Sequence, residues 1–175
     1  KEMKKQDYFI VKNFLSSHEC EDYAAFTRIF DANPTLEVGL KTKNKRDIHM
    51  VNRIYYTIRG MTKHLRPLRN MANEYYNLDL KFPKAPQIYA HIMEYSTPGQ
   101  GLEWHAEPSI SDVSVSINLS EPWEYEGANF ELKANPILDL KKGDAIFYRS
   151  TMMHRVSDLV EGRKLSFVMW LKEKK

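Results

Sequence analysis

The chain has a single cysteine, Cys20, in 175 residues and can form no internal disulfide. A disulfide-stapled secreted scaffold is thereby excluded, and a reducing cytosol is the compartment this usage fits. There is no apolar run near membrane-spanning length and no signal-peptide pattern. The expected location is cytoplasmic, with no membrane partner. A strong charge of either sign is missing too, since 26 Lys and Arg against 23 Asp and Glu leave a formal net charge of +3. The basic residues cluster in Lys41-Thr42-Lys43-Asn44-Lys45-Arg46 and at both ends, without the interleaved aromatics of a nucleic-acid surface. A solvated loop and frayed ends account for them, so nucleic acid is disfavoured as a partner. No internal repeat or second composition marks a further domain. A hydrophobic content of 42% with 28% charge suits one domain over residues 1–175 with one substantial core.

What is present divides into a helical part, residues 1–84, and a strand-rich part, residues 85–175. Tyr8-Phe9-Ile10-Val11 reads as a strand, and Ser16-Ser17-His18-Glu19 as the capping start of a helix running to about Phe30 and ended near Asn33-Pro34. Apolar and aromatic positions from Ile54 and Tyr55 through Ile58, Met61, Leu65, Leu68, Met71, Ala72 and Tyr75 recur at helical spacing, with Pro67 expected to kink or break the helix. Phe82-Pro83-Lys84-Ala85-Pro86 reads as a stiff linker. Beyond it, Asp112 to Leu119 alternates strictly: Val113, Val115, Ile117 and Leu119 face one way, and Ser114, Ser116 and Asn118 the other. Short strands follow at Phe130-Glu131-Leu132 and Ala145-Ile146-Phe147-Tyr148, with a turn at Lys142-Gly143-Asp144. Short strands at even spacing predict a double-sheet jelly roll.

The chemistry lies in His105-Ala106-Glu107 and His154. Two imidazoles and one carboxylate cover a face of an octahedral Fe(II) and leave the opposite positions for a bidentate co-substrate and O2. On a strand, residues two apart point to one side, so His105 and Glu107 can reach one metal. Leu102, Trp104 and Ala106 alternate with Glu103, His105 and Glu107, and Pro108 ends the ladder, which predicts a strand through Glu107. A lone His-x-Glu is weak evidence, because chance supplies many such triplets. The other histidines get plainer readings: His18, His49 and His64 as solvated surface, and His91 as a hydrogen-bonded pocket wall.

The order of the pieces carries a resemblance. Glu94-Tyr95 before His105-Ala106-Glu107, Ser116-Ile117-Asn118-Leu119, Tyr125-Glu126-Gly127-Ala128, Leu140 to Phe147, Met153-His154-Arg155-Val156 and Glu161-Gly162-Arg163-Lys164 running to Trp170-Leu171 resemble the Fe(II)- and 2-oxoglutarate-dependent dioxygenase superfamily. Within it the chain is most similar to the prolyl 4-hydroxylase type, including small bacterial and phage members. The resemblance implies an α+β fold: a distorted double-stranded β-helix (jelly roll) braced by N-terminal helices. It implies iron held by His105, Glu107 and His154, and a basic residue about ten positions after the distal histidine that pairs with the far carboxylate of 2-oxoglutarate. Arg163 and Lys164 compete for that role. Strand phase favours Lys164, which shares a face with Ser166, Val168 and Trp170 while Arg163 falls with Leu165, Phe167 and Met169. Tyr95 is implied as a hydroxyl partner of the same carboxylate, and Asn118 as a weaker co-substrate contact. The proximal carboxylate in these enzymes is more commonly aspartate, and glutamate occurs in members acting on free amino acids.

The implied activity is hydroxylation of a C–H bond coupled to conversion of 2-oxoglutarate and O2 to succinate and CO2, with Fe(II) as metal and ascorbate admitted as an accessory. The expected substrate is a prolyl residue in a peptide or protein, with a free amino acid or other small molecule as the alternative. The alternative of another class is a non-catalytic or cupin-like metal-binding jelly roll. A monomer or weak homodimer is expected.

Overall fold

Alternation of small polar with branched apolar residues drives the middle of the chain into extended backbone, because successive strand side chains leave opposite faces. The computed structural model describes residues 6–29, 47–49, 63–83 and 90–173. The first part supplies β1 (Tyr8–Val11), α1 (Ser17–Ile29), β2 (Asp47–His49), α2 (Leu65–Tyr76) and β3 (Leu80–Lys81). Strands follow: β4 (Ala90–Tyr95), β5 (Leu102–His105), β6 (Val113–Asn118), β7 (Tyr125–Gly127), β8 (Phe130–Leu132), β9 (Ala145–Arg149), β10 (His154–Val156), β11 (Leu159–Gly162) and β12 (Lys164–Glu173). A major sheet runs β1-β9-β6-β12-β4-β2, with β3 paired to the far end of β12. Against it lie the three-stranded sheet β5-β10-β8 and the ribbon β11-β7. The fold is α+β, a jelly roll with helices on its outer face.

The major sheet separates two cores. Val113, Val115 and Ile117 of β6 and Leu165, Phe167, Met169 and Leu171 of β12 pack outward with Leu15, Cys20 and Tyr23 at α1 and Leu65, Leu68, Ala72 and Tyr76 of α2. Inward, Met93, Tyr95, Ile146, Tyr148 and Trp170 meet Phe130, Leu132, Val156 and Leu159 from the smaller sheets. Each fully buried large side chain contributes about 1.5 to 3 kcal/mol, so the alternation pins the register of every strand carrying it. Burial also pushes the Cys20 thiol up to about 12, which leaves it inert.

Local signals account for the helix ends. The Ser16 Oγ accepts the Glu19 N–H at 3.1 Å, and Glu19 Oε1 accepts the Ser16 N–H at 3.1 Å, a reciprocal capping box that starts α1. Asn77 ends α2 in the left-handed region at φ 54. The kink expected at Pro67 is absent: α2 begins at Leu65, and Pro67 falls in its first turn, where no intrahelical N–H bond is lost. The helical positions read before it, Ile54 to Met61, lie outside the described residues, as do Asn33-Pro34, the basic run from Lys41 to Arg46 and most of the linker after Pro83. At the other end of the sheet, Gly143 has φ +88, and a Cβ there would sit 2.2 Å from the Leu15 carbonyl oxygen. Only glycine lets that turn close against the segment leading into α1.

One expected strand is shorter than read. The ladder ends at His105 rather than Glu107, and between β5 and β10 the register shifts, with His154 opposite His105 but Val156 opposite Leu102. One residue of β10, Arg155, lies against two of β5, Glu103 and Trp104, a bulge that re-aims side chains. Leu102 and His105, three apart, therefore both face inward, and the simple alternation read for this segment fails.

The capping box generates a pH prediction. Ser16's N–H and the His64 ring, outweighing burial, hold the Glu19 carboxyl down at about 2 against an ordinary 4.5. Such a group stabilises the fold above 4.5 and loses that contribution as the pH falls towards 2. Glu19→Gln should cost about 1 kcal/mol at neutral pH and flatten the acid decline in urea midpoints; an unchanged acid slope would show that the box contributes nothing.

Candidate active site

Two strand ends and one turn bring the ligand-type side chains together. His105 closes β5, His154 opens β10 directly opposite, and Glu107 sits in the turn after β5. That turn is pinned through its backbone: the Glu107 N–H donates to the Ser150 carbonyl at 2.9 Å, and the Glu107 carbonyl accepts the N–H groups of Ile110 and Ser111, both at 3.1 Å. Ser150 in turn shares a buried hydroxyl cluster with Ser111 and Ser114.

Ligand atoms of His105, Glu107 and His154 all lie within 4.8 Å of one another, and the two imidazole centres are 4.1 Å apart. His105 Nδ1 is 2.7 Å from the Glu103 carbonyl oxygen, and His154 Nδ1 is 2.9 Å from that of Met152. A carbonyl only accepts, so Nδ1 carries the proton in each ring and Nε2 presents its lone pair. His105 Nε2 is buried without a hydrogen bond, although Glu107 Oε1 lies 3.3 Å away. The distance is there and the alignment is not. The second oxygen, Glu107 Oε2, accepts the Trp170 indole N–H at 2.8 Å. Burial raises the Glu107 pKa, but the contacts from His105 and Trp170 and the closeness of the two imidazoles outweigh it, and the carboxyl is held below its usual range. Two neutral imidazole nitrogens and one carboxylate, with one nitrogen buried and orphaned, fit a divalent iron; a purely structural cluster would not leave that nitrogen unpaired.

The pocket at this cluster is small, about 30 Å3, and is walled by Met93, Tyr95, Leu102, Phe130, Tyr148, Val156 and Val168. Tyr95 stands opposite Lys164 in the β4–β12 register. Lys164 points inward and is buried; its Nζ donates to the Ala128 carbonyl and lies 5.2 Å from the Tyr125 ring centre. Burial drives its pKa down to about 7 with no carboxylate opposing the shift. Arg163 points the other way: its Nε donates to Glu94 Oε1 at 2.6 Å and its Nη2 to Thr27 Oγ1 at 2.7 Å. Strand phase thus separates the neighbouring cations as expected.

Asn118 stands one step from the pocket. Its Nδ2 donates to the Tyr125 hydroxyl at 3.1 Å and the Leu140 carbonyl at 2.9 Å, and its Oδ1 accepts the Ser120 N–H at 3.0 Å. Both of its amide hydrogens are thereby engaged, one of them bracing the Tyr125 strand. His64 departs from its reading as solvated surface: Nδ1 is 2.8 Å from the Tyr23 hydroxyl and Nε2 2.6 Å from Glu19 Oε2, joining α1 to the start of α2. His18 is exposed beside Asp22, as expected. The side chains of His49 and His91 lie outside the described residues. Trp170, Tyr125 and Ser150 were not read as site residues. The signal for Trp170 was its phase with Lys164; Tyr125 reaches the site from the β11-β7 ribbon and Ser150 from the turn after β9, placements that no spacing displays.

No protein-family profile matches the chain. A PKHD-type hydroxylase of Psychrobacter sp. is 29% identical over 87 residues, covering 42% of this chain and 34% of the relative. Another, of Picosynechococcus sp., is 32% identical over 91 residues, covering 46% and 42%. The chain spans about a third of the length of the curated relatives it matches. Solved structures match over nearly its full length. A prolyl-4-hydroxylase of Pseudomonas putida gives a TM-score of 0.69 at 19% identity, covering 97% of this chain and 94% of that one. A Trichoplax adhaerens prolyl hydroxylase in complex with a hypoxia inducible factor peptide gives 0.71 at 15%, covering 95% and 84%. The fold is that of the 2-oxoglutarate- and iron(II)-dependent oxygenases. The breadth of that fold shows in a third neighbour, the alpha ketoglutarate dependent epimerase SnoN from nogalamycin biosynthesis, with a TM-score of 0.65 at 12% identity, covering 97% and 77%. Resemblance in sequence runs to PKHD-type hydroxylases. Among the described residues no helix is long and apolar enough to cross a membrane.

A buried lysine on the inward face of the sheet carries a stability cost that can be measured. Because the Lys164 pKa falls from 10.5 to about 7 on folding, the unfolded chain binds more protons in that window, and this group's contribution to stability rises with pH across it. Lys164→Met keeps the stem and removes the ammonium. It should raise the thermal midpoint below pH 7 and abolish the rise; a lower midpoint than wild type there would contradict the burial argument.

Proposed function

We propose that this chain is a hydroxylase dependent on Fe(II), 2-oxoglutarate and O2, with iron held by His105, Glu107 and His154. The observation that carries the reading is the 4.8 Å convergence of those three side chains in one inward-facing cluster of an oxygenase fold. The buried Lys164 on the same sheet face supports it, because a cation so placed calls for an anion from outside the protein.

Iron and 2-oxoglutarate, when bound, supply the activation of O2 that inserts an oxygen atom into a C–H bond, with succinate and CO2 released. The residues around them bind and orient. Lys164 Nζ, held by the Ala128 carbonyl, would pair with the far carboxylate of the co-substrate, and that anion would favour its charged form. Tyr95, opposite it on the neighbouring strand, would offer its hydroxyl to the same carboxylate. The carbonyls of Glu103 and Met152 keep both histidines in the tautomer that offers Nε2. Met93, Leu102, Phe130, Val156 and Val168 keep water from the reacting groups.

For the substrate we favour a prolyl residue in a peptide or protein, supported by the sequence likeness to PKHD-type hydroxylases and by the peptide complex of the Trichoplax neighbour. The second reading, a free amino acid or other small molecule, is supported by the glutamate at position 107 and by the fold's likeness to SnoN.

Anaerobic addition of Fe(II) and then 2-oxoglutarate should develop the visible band of an iron–oxoglutarate chelate, and candidate substrates should then be ranked by succinate release. His105→Ala and His154→Ala should each lose most of the iron affinity. Removing the cation from a buried carboxylate costs on the order of 3 to 5 kcal/mol, so Lys164→Ala should raise the 2-oxoglutarate requirement by more than about a hundredfold, while Arg163→Ala changes it little. No band with the wild-type chain would overturn the reading. Loss of co-substrate binding in Arg163→Ala alone would reverse the assignment of the two cations.

A further inference from the structure

We infer that Trp170 is the positioning residue that presents Glu107 to the metal through one oxygen, offsetting both the length of the glutamate and its place beyond the end of a strand. The inference rests on the iron site proposed above. Glu107 has one methylene more than an aspartate would have, and the strand that would have fixed its direction stops two residues earlier at His105. Its backbone is anchored by Ser150, Ile110 and Ser111, but those bonds leave the side-chain torsions free. The Trp170 indole removes that freedom. Its N–H donates to Oε2 at 2.8 Å, while Oε1 is left 3.3 Å from His105 Nε2, on the side of the imidazoles. A donor on one oxygen of a carboxylate favours cation binding through the other, which would leave neighbouring coordination positions open for co-substrate and O2.

Trp170 suits this role because of where it stands. It lies inward on β12, opposite Ser114 of β6, and is 8% exposed, so the ring is clamped by the sheet and its N–H has to find an acceptor inside. An indole donates and cannot accept, so unlike a hydroxyl or an amide it cannot compete for the metal. The same strand carries Lys164 at its other inward end, and one rigid element thereby orients both the metal's carboxylate and the cation.

Trp170→Phe keeps the buried ring and removes the donor. Titration with Co(II), followed by its visible spectrum, should show affinity reduced at least about tenfold and a changed band pattern in the variant. In a Glu107→Asp background the shorter side chain withdraws from the indole, so the same substitution should change Co(II) affinity less than about twofold. A cobalt affinity and spectrum unaffected by Trp170→Phe, or an equal loss in both backgrounds, would overturn the proposal. A readout on the folded native chain does not depend on the Trp170→Phe variant folding. Of the three tryptophans, Trp104 and Trp123 are 37% and 79% exposed, so the most exchange-protected indole in a 1H–15N spectrum reports Trp170. Its proton should resonate downfield and move upfield in Glu107→Asp; an indole resonance indifferent to Glu107→Asp would also overturn the inference. A wild-type chain that binds no Co(II) at all would instead sink the iron-site reading, a distinguishable result.

Discussion

The two-residue period of β12 is the constraint on which the rest of the structure depends. This strand is paired on both sides, to β4 and to β6, so its phase is locked by two hydrogen-bonded registers at once. Leu165, Phe167, Met169 and Leu171 are committed to the helix-covered core, and that commitment sends Lys164, Ser166, Val168 and Trp170 to the other side. The apolar half contributes the stability; the inward half contributes the chemistry. Neither can move without the other, because a slip of one residue would carry four core side chains into the pocket.

The inward side departs from ordinary core composition in a consistent way. Ser114, Ser116, Asn118 and Ser166 are small or amide-bearing and buried, where branched apolar residues would pack better. They leave room in the pocket and hold loops: Ser114 joins the hydroxyl cluster that reaches the Glu107 turn, and Asn118 braces the strand whose Tyr125 covers Lys164. Stability is surrendered locally, above all at Lys164, and made up by the helix-side core. The bulge between β5 and β10 belongs to the same logic, since irregular pairing at a sheet rim is how a fold aims side chains that a regular ladder would alternate.

The sequence displayed those features that follow from periodicity or from adjacent residues. The strands at Tyr8–Val11, Val113–Asn118 and Ala145–Arg149, the capping box at Ser16 and the opposite facing of Arg163 and Lys164 were all legible, because each depends on neighbours one to four positions away. Features that depend on contacts between distant segments were hidden. Pro67 looked like a breaker because helical spacing ran on both sides of it, and only the observed start at Leu65 makes it harmless. His64 looked like surface among basic neighbours, yet Glu19 and Tyr23, some forty positions earlier, bury and bond it. Glu107 was read as reaching the cluster from a strand, and it reaches it from the segment after β5 instead.

The adjacency of Arg163 and Lys164 gives the chain a kind of parity. Counted from the outward apolar set of β12, the ammonium occupies an odd step and the guanidinium an even one, and the sheet reads only that distinction. Gly162, at φ +84, sets the count: a Cβ there would meet the Glu124 carbonyl oxygen at 2.1 Å, so the turn into β12 admits no other residue without shifting. Because the apolar set keeps Lys164 inward, insertion of one residue between Arg163 and Lys164 would bring the guanidinium to the inward side as well, setting a planar, permanently charged group beside a titratable one. A change of two residues would restore the order. Length variation at this junction should thus be tolerated, if at all, in pairs.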